Sequence, residues 1–373
     1  SPDCKNVAIG CTNGYTIIYN WSDLKEVHKL TDRGKAISVT RYSPNNKYLA
    51  VGGLDNRIRI YDVEKKYKLI GECKELRSAV RSIDFSSNSA IIQANTETLD
   101  IQFFDVNTCN VIQDGIMKQA SEEWSTWTTS MGWATLGIWP ATSTGEGKDK
   151  YNAVSRDNKK ELLATADNFG KLKLFKYPSV AEYSNPNIYS GHSSVVSGVS
   201  FLSDDSRVIT IGATDKAVFQ WTFDVRNPDE DKQAEAKANE ELIIKKNFAL
   251  KSNVSQLLTI EKKLEEAETE GEQAFKEEVI QGDQYNKEKP FTRAIFPPSN
   301  VALNLKSNEP PDENLYIKHT FGYRCHDCKD SARFLGSSDT VCFINAALGV
   351  IMNTKTYQQR IYKGMNDDIT CMD

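Results

Sequence analysis

Several signatures of common functional classes are missing from this 373-residue sequence. Lys and Arg total 46 against 51 Asp and Glu, a formal net charge of −5. Nucleic acid is therefore not expected as a partner, because no basic field would attract its phosphates. The longest nearly apolar run, residues 341–352, is far shorter than the ~20 residues of a membrane-spanning helix. We therefore expect no membrane partner either.

Motifs of catalysis and of cofactor binding are also missing from the sequence. It contains no glycine-rich phosphate loop, no nucleophile elbow and no paired metal-ligand motif. The eight cysteines follow no regular spacing and no apolar leader opens the sequence, which favours a reduced intracellular protein over a secreted one. The sequence thus predicts a protein that is not an enzyme and has no cofactor.

The most informative stretch is residues 187–221, NIYSGHSSVVSGVSFLSDDSRVITIGATDKAVFQW. Three short apolar-polar alternations are separated by turn residues, with Gly-His near the start and Asp215 six residues before Trp221. This pattern is typical of one blade of a WD-repeat β-propeller. We predict that the His192 ring donates a hydrogen bond to Asp215, tying a turn to the neighbouring strand. A structural role is favoured over catalysis because no nucleophile or metal ligand accompanies this pair.

The same pattern recurs along the first 222 residues. Each unit ends with an aromatic residue: Tyr19, Tyr61, Phe104, Phe175 and Trp221. Successive members of this series are 42, 43, 71 and 46 residues apart. Three of these intervals are close to the WD-repeat period, and an insertion lengthens the remaining one. In the second unit the alternation predicts strands at 37–42, 48–52 and 57–61. Only the unit at 187–221 keeps the Gly-His, so we expect the other blades to be held by their apolar faces.

The lengthened interval contains a tryptophan-rich insertion at residues 121–151. Its four tryptophans are Trp124, Trp127, Trp133 and Trp139. Two interpretations stay open: a binding patch, since aromatic residues are common interface anchors, or an extra strand that closes a blade and leads into a surface loop. The alternation of the segment favours the extra strand.

The composition changes after Trp221. Residues 229–289 hold 16 acidic and 10 basic residues, and the pattern predicts helices at 229–246 and from about 253 to 281. A proline-stiffened extended stretch follows, with Pro-Pro at 297–298 and 310–311. We therefore divide the chain into the C-terminal blades of a propeller (1–222), a charged helical and proline-containing linker (223–318), and a new folded segment (319–373).

The last segment carries a recognisable motif. It contains Phe-Gly-Tyr323-Arg324 and then His326, Asp327 and Cys328, followed by an apolar strand pair around Gly349. These residues resemble the hydrophobic motif of the echinoderm microtubule-associated protein-like family. The stretches EEWSTWTTSMGWATLGIWP, YSGHSSVVSGVSF and VFQW resemble the second propeller of that family. The resemblance implies an all-β fold: propeller blades, a charged helical linker, and the start of a second propeller unit.

Two departures from the family pattern affect this interpretation. Met365 stands where the family usually has His, so the first blade after the motif should lack the histidine tie. Cys325 and Cys328 flank a histidine, which suggests a metal site. A closed zinc site, however, needs four ligands at regular spacing, and the sequence supplies no second pair. We predict that these cysteines bind no structural zinc.

The resemblance implies a non-enzymatic scaffold that binds the microtubule lattice, with other axonemal proteins as further partners. It implies a place in the cytoplasm, on cytoskeletal microtubules or in the ciliary axoneme. The alternative is a WD-repeat adaptor that holds other proteins in a signalling or ciliary transport complex, and the fold alone does not decide between them. Because tubulin is acidic, the candidate partner-facing residues are basic loops: Lys65, Lys66 and Lys68, and Arg156, Lys159 and Lys160.

Overall fold

A computed structural model describes residues 1–31, 35–139, 151–181, 184–225, 295, 297–298, 309–323, 332–335, 339–363 and 369. The described chain forms six β-sheets of three or four strands each. It also contains a short helix α1 (Gly115–Lys118) and a 3-10 helix at Trp133–Ile138. No helix in these described ranges is long and apolar enough to cross a membrane.

The strands follow one another through the sheets in chain order. Sheet 1 contains β1 (Asn6–Gly10), β2 (Thr16–Asn20) and β3 (Glu26–Leu30). Sheet 2 contains β4 (Ile37–Tyr42), β5 (Tyr48–Gly53), β6 (Ile58–Asp62) and β7 (Lys68–Cys73). Sheet 3 contains β8 (Val80–Phe85), β9 (Ile91–Thr96) and β10 (Ile101–Asp105). Sheet 4 contains β11 (Tyr151–Arg156), β12 (Leu162–Asp167), β13 (Leu172–Lys176) and β14 (Asn187–Tyr189).

The last two sheets extend the series beyond the acid-rich segment. Sheet 5 contains β15 (Val196–Phe201), β16 (Arg207–Gly212), β17 (Val218–Val225) and β18 (Glu313–Phe321). Sheet 6 contains β19 (Ala332–Phe334), β20 (Thr340–Asn345), β21 (Leu348–Asn353) and β22 (Gln359–Tyr362). Successive strands pair antiparallel, as in β4 with β5 and β5 with β6. The architecture is that of β-propeller blades, and the predicted all-β fold class is confirmed.

The closing aromatics mark equivalent strands, as the repeat predicts. Tyr61, Phe104, Phe175 and Trp221 lie in the third strands of sheets 2, 3, 4 and 5, while Tyr19 lies in the middle strand of sheet 1. Each is buried in a sheet core except the half-buried Tyr19. The alternation of strands therefore places one aromatic per repeat against a neighbouring blade.

Apolar clusters between neighbouring sheets form the core. Ile18 and Leu49 belong to the cluster shared by sheets 1 and 2. Ile60 and Phe85 belong to the cluster shared by sheets 2 and 3. A single larger cluster joins sheets 4, 5 and 6. Burying a Leu, Ile or Phe side chain contributes about 1.5–3 kcal/mol, so these contacts hold the sheets side by side.

The tryptophan-rich insertion forms neither the predicted strand nor an exposed patch. It makes one isolated antiparallel bridge, between Ser86 and Trp124. Trp127 is buried, and Trp139 lies in the same cluster between sheets 3 and 4. The buried carboxylate of Asp84 directs this course, because it accepts hydrogen bonds from side chains of the insertion as well as from the backbone N–H of Thr128 at 2.8 Å. The expected loop at 140–150 lies outside the described residues.

The predicted boundary at residue 319 is wrong. Strand β18 spans it and forms the fourth strand of sheet 5, so 313–318 is not linker. Leu315 and Ile317 lie in the cluster that also contains Trp221, whereas Tyr316 between them is exposed. Residues 1–224 and 288–373 belong to one compact unit. That the last segment opens a second propeller unit stays a prediction. The apolar-polar alternation of Asn-Leu-Tyr-Ile-Lys at 314–318 indicates a strand, but the prolines before it favoured an irregular segment.

Sheet 6 contains the predicted strand pair. Strands β20 and β21 pair from Thr340 with Asn353 to Asn345 with Leu348, turning at residues 346–347. Gly349 lies in β21, and Tyr323 is exposed just beyond β18. The other motif residues, Arg324, His326, Asp327 and Cys328, lie outside the described residues. So do Cys325, Met365 and the predicted helices at 229–246 and 253–281.

The placement of β18 predicts the effect of a core substitution. Leu315 is 2% exposed, so Leu315→Ala should reduce the free energy of unfolding of the whole propeller unit by about 2–4 kcal/mol. The neighbouring Tyr316 is 49% exposed, and Tyr316→Ala should change the free energy of unfolding by less than about 0.5 kcal/mol. Urea unfolding followed by tryptophan fluorescence measures both. Equal effects of the two substitutions would contradict the assignment of β18 to the core.

Candidate functional site

A buried chain of polar side chains crosses sheet 5. Trp221 Nε1–H donates to Thr210 Oγ1 at 2.9 Å. Thr210 Oγ1 also lies 2.8 Å from His192 Nε2, and His192 Nδ1 lies 2.8 Å from Asp215 Oδ2. A Thr210 hydroxyl that donates to Nε2 leaves Nδ1–H to donate to Asp215, the direction predicted from the sequence. The structure therefore contains the predicted bond.

Thr210 is the member of this chain that sequence reasoning missed. It lies in β16, opposite Phe219 of β17, whose ring stacks on His192 at a centroid distance of 4.1 Å. The sequence could have indicated it, because Thr210 is the only polar residue among the inward-facing positions of the strand VITIG. The side-chain polar atoms of this network all have hydrogen-bond partners, with Asp215 Oδ1 accepting from the Ala217 N–H at 3.2 Å, so the network fastens the blade.

The histidine and the aspartate of this polar network are closed off from solvent. Among the residues that the structure describes, no group of three or more His, Cys, Asp or Glu side chains is placed to hold a metal ion. His192 and Asp215 are both buried, with side chains 1% and 2% exposed. A substrate could not reach them without opening the blade.

Cationic side chains provide comparable ties in two other sheets. In sheet 2, Arg59 Nη2 lies 2.6 Å from Asp55 Oδ2 and Arg59 Nε lies 3.1 Å from Glu72 Oε1. In sheet 4, Lys173 Nζ lies 3.2 Å from the buried Asp167. The apolar faces that were expected to hold the blades without a Gly-His are present, and in sheets 2 and 4 these ion pairs supplement them. Of these carboxylates only Asp55 stands six residues before its closing aromatic, as Asp215 does, and sequence reasoning overlooked that Arg can pair with it in place of His.

The first predicted basic loop is exposed at the turn between β6 and β7. Lys65 Nζ pairs with Asp62 at 2.9 Å, and this bond with Lys65 holds the pKa of the Asp62 carboxyl below its ordinary value. Lys66 and Lys68 are exposed and form no ion pair within the described residues. The structure adds Lys47, because Val63 N–H donates to the Lys47 carbonyl at 2.8 Å. We call Lys47, Lys65, Lys66 and Lys68 the lysine turn.

The second predicted basic loop does not form a basic patch. Arg156 is half-buried and donates to the carbonyl oxygens of Trp124 and Ser125 at 3.0 and 3.1 Å. Its guanidinium lies 5.2 Å from the centre of the Tyr177 ring. Arg156 therefore fixes the tryptophan-rich insertion against β11, and its assignment as a partner-facing residue is wrong.

Acidic groups surround the two lysines of this loop. Lys160 pairs with Glu123, whose pKa is lowered by the bond to Lys160. The backbone N–H of Lys159 donates to Asp205 at 3.1 Å. The buried carboxyl of Asp157 lies in the same turn, and burial raises its pKa. An acidic partner would find little net positive charge here.

The polar chain of sheet 5 predicts a stability loss on removing its central hydroxyl. Thr210→Val keeps the shape but leaves His192 Nε2 and Trp221 Nε1 without their partner, which should cost about 2–4 kcal/mol in the free energy of unfolding. Thr222→Val, at a half-buried position in the adjacent β17, should cost less than about 1 kcal/mol. Urea denaturation compares the two variants. A Thr210→Val protein as stable as the parent would contradict a structural role for the chain.

Comparison with known proteins places this fold in a family. Residues 1–223 match the family model described as the echinoderm microtubule-associated protein second β-propeller. The chain is 36% identical over 225 residues to echinoderm microtubule-associated protein-like 1 of Rattus norvegicus, covering 59% of this chain and 27% of the relative. It is 37% identical over 226 residues to the 77 kDa echinoderm microtubule-associated protein of Lytechinus variegatus, covering 59% of this chain and 33% of the relative.

A third relative aligns over a similar length. Echinoderm microtubule-associated protein-like 2 of Homo sapiens is 35% identical over 225 residues, covering 59% of this chain and 34% of the relative. The chain thus spans about a quarter to a third of the length of these relatives. The repeat of sheets, the closing aromatics and the family match agree, and the chain belongs to the echinoderm microtubule-associated protein-like family.

Proposed function

We propose that this chain is part of a non-enzymatic, microtubule-associated scaffold. The observation that carries this proposal is the family match over residues 1–223, together with relatives whose names describe microtubule-associated proteins. On this proposal the chain is cytoskeletal, and microtubules of the cytoplasm or of the ciliary axoneme are its sites of action. Other axonemal proteins would be further partners on the remaining propeller surface.

The lysine turn is the proposed contact with tubulin. Tubulin has a strongly acidic surface, and a chain of net charge −5 is not attracted to it by overall charge. Attraction must come from a local patch, and Lys66 and Lys68 are exposed, next to the exposed apolar side chain of Leu69. The turn joins the paired strands β6 and β7, so its backbone is already ordered and only the lysine side chains lose conformational entropy on binding.

The charge of this contact determines its salt dependence. Exposed charges are screened within about 8 Å at physiological ionic strength, whereas a fitted apolar contact is not. Binding that combines lysines with Leu69 should therefore fall only partly as salt is raised. A contact made by charge alone would be lost.

Co-sedimentation with polymerised microtubules tests the proposal. We expect the full chain to pellet with microtubules, and the double variant Lys66→Glu, Lys68→Glu to bind at least about tenfold more weakly because two attractions become repulsions. The matched control reverses two lysines of the other loop, Lys159→Glu with Lys160→Glu. These lie among acidic groups, so this variant should bind within about twofold of the parent.

Two outcomes would contradict the proposal. Equal loss in both double variants would show that overall charge, and not the lysine turn, governs binding. Failure of the full chain to pellet at any salt concentration, with recovery of an unrelated protein partner, would favour the WD-repeat adaptor instead.

A further inference from the structure

Two buried thiols lie together between sheets 2 and 3. Cys73 is the last residue of β7 in sheet 2, and Cys109 lies in the turn that follows β10 of sheet 3. Both belong to the apolar cluster that these sheets share, and they are 0% and 8% exposed. Of the five cysteines in the described part of the chain, these two alone are buried.

Gly71 makes room for the sulfur atom of Cys109. It lies two residues before Cys73, so the two positions share one face of β7. A Cβ atom at Gly71 would lie 2.8 Å from Cys109 Sγ and 3.4 Å from Cys109 Cβ. Because Gly71 has no side chain, the turn of sheet 3 approaches β7 closely. The Cys109 sulfur therefore lies over the strand face that carries the Cys73 side chain.

The two thiols differ in their readiness to ionise. They form a hydrogen bond with each other, and this bond, together with burial, raises the pKa of Cys73. The same hydrogen bond lowers the pKa of Cys109. Since the thiolate and not the thiol is the nucleophile, Cys109 is the more reactive sulfur and Cys73 is its protonated neighbour. Cys109 is also the more exposed of the two.

Cys109 is held by a turn and not by a strand ladder. The Asp105 carboxylate accepts from the backbone N–H groups of Asn107 and Thr108 at 3.0 and 2.8 Å. Cys109 has a φ of 58°, a left-handed conformation that is uncommon for residues other than glycine and that concentrates at functional sites. Thr108 and Asn110 on either side are exposed. A small rotation of this turn moves the Cys109 sulfur without breaking the strand pairing of either sheet.

We propose that Cys73 and Cys109 form a redox-active dithiol, which hydrogen peroxide oxidises to a disulfide that joins sheets 2 and 3. The Cys109 thiolate attacks one peroxide oxygen and the O–O bond breaks, giving a sulfenic acid on Cys109 and a hydroxide that takes up a proton to form water. The Cys73 sulfur then attacks the Cys109 sulfur, the S–O bond breaks, and the hydroxyl leaves with the Cys73 proton as a second water. The two thiols thus lose two electrons to the peroxide, and a thiol reductant reverses the reaction by exchange.

The disulfide would constrain the strand that leaves the lysine turn. Strand β7 begins at Lys68 of that turn and ends at Cys73. A bond to Cys109 closes the loop of residues 73–109 and restricts the unfolded chain. The oxidised protein should therefore resist urea better than the reduced protein.

Peroxide treatment of the folded full chain tests the site. The reduced chain is incubated with hydrogen peroxide, the remaining thiols are blocked with iodoacetamide, and a tryptic digest is read by mass spectrometry. We expect the peptides 69–74 and 82–118 to become joined at least about tenfold faster than the exposed Cys4 is oxidised, and dithiothreitol to separate them. The midpoint of urea unfolding should rise by at least about 0.5 M on oxidation.

Single serine variants separate the roles of the two sulfurs. Cys73→Ser keeps a hydrogen-bond donor beside Cys109 but cannot resolve its sulfenic acid, which should persist and react with dimedone. Cys109→Ser leaves only the buried, protonated Cys73, and dimedone labelling at residue 73 should be at least about tenfold lower than that at residue 109 in Cys73→Ser. Circular dichroism shows whether each variant is folded, and the digest of the parent chain decides by itself if one is not. No joined peptide in the peroxide-treated parent, or equal labelling of the two folded variants, would overturn the proposal.

Discussion

The pairing of β18 with sheet 5 is the interaction on which the rest of the described unit depends. Three strands of that sheet precede the acid-rich segment and the fourth, β18, follows it. Sheet 5 is therefore complete only when β18 pairs with β17. Leu315 and Ile317 then cover Trp221 and its neighbours in one apolar cluster. Sheet 6 is attached to this strand, because the Gln359 amide both accepts from Thr320 N–H at 2.8 Å and donates to the Thr320 carbonyl at 3.0 Å.

Polar bonds between neighbouring sheets supplement the apolar clusters. Ser38 Oγ donates to the Val80 carbonyl at 2.6 Å, linking sheets 2 and 3. Asn152 Nδ2 donates to the Val196 carbonyl at 3.2 Å, linking sheets 4 and 5. Such bonds fix the register between sheets, which apolar contacts alone would leave free to slide. The first of these bonds involves sheet 2, which carries the lysine turn, and ties that sheet to its neighbour.

Sequence reasoning succeeded where one period dominates. The spacing of Tyr61 and Trp221 predicted the repeating strands, and the Gly-His with Asp215 predicted the buried histidine tie. It failed where tertiary contacts decide. The alternation at 314–318 indicates a strand, but nothing in the local pattern shows that this strand completes a sheet begun before the acid-rich segment. Likewise, no sequence pattern near Arg156 predicts that its guanidinium donates to carbonyl oxygens of the insertion instead of facing a partner. The sequence indicated Lys65, Lys66 and Lys68 of the lysine turn. Lys47 was added only because the fold bonds its carbonyl to the Val63 N–H beside that turn.

The most direct test of this account is to cut the chain between its two halves. A specific protease site inserted after residue 270 allows cleavage under native conditions, followed by size-exclusion chromatography. If β18 completes sheet 5, the fragments 1–270 and 271–373 elute together as one species and separate only in denaturant. Separation of the two fragments in native buffer would contradict the shared sheet and would restore an independent unit beginning near residue 319.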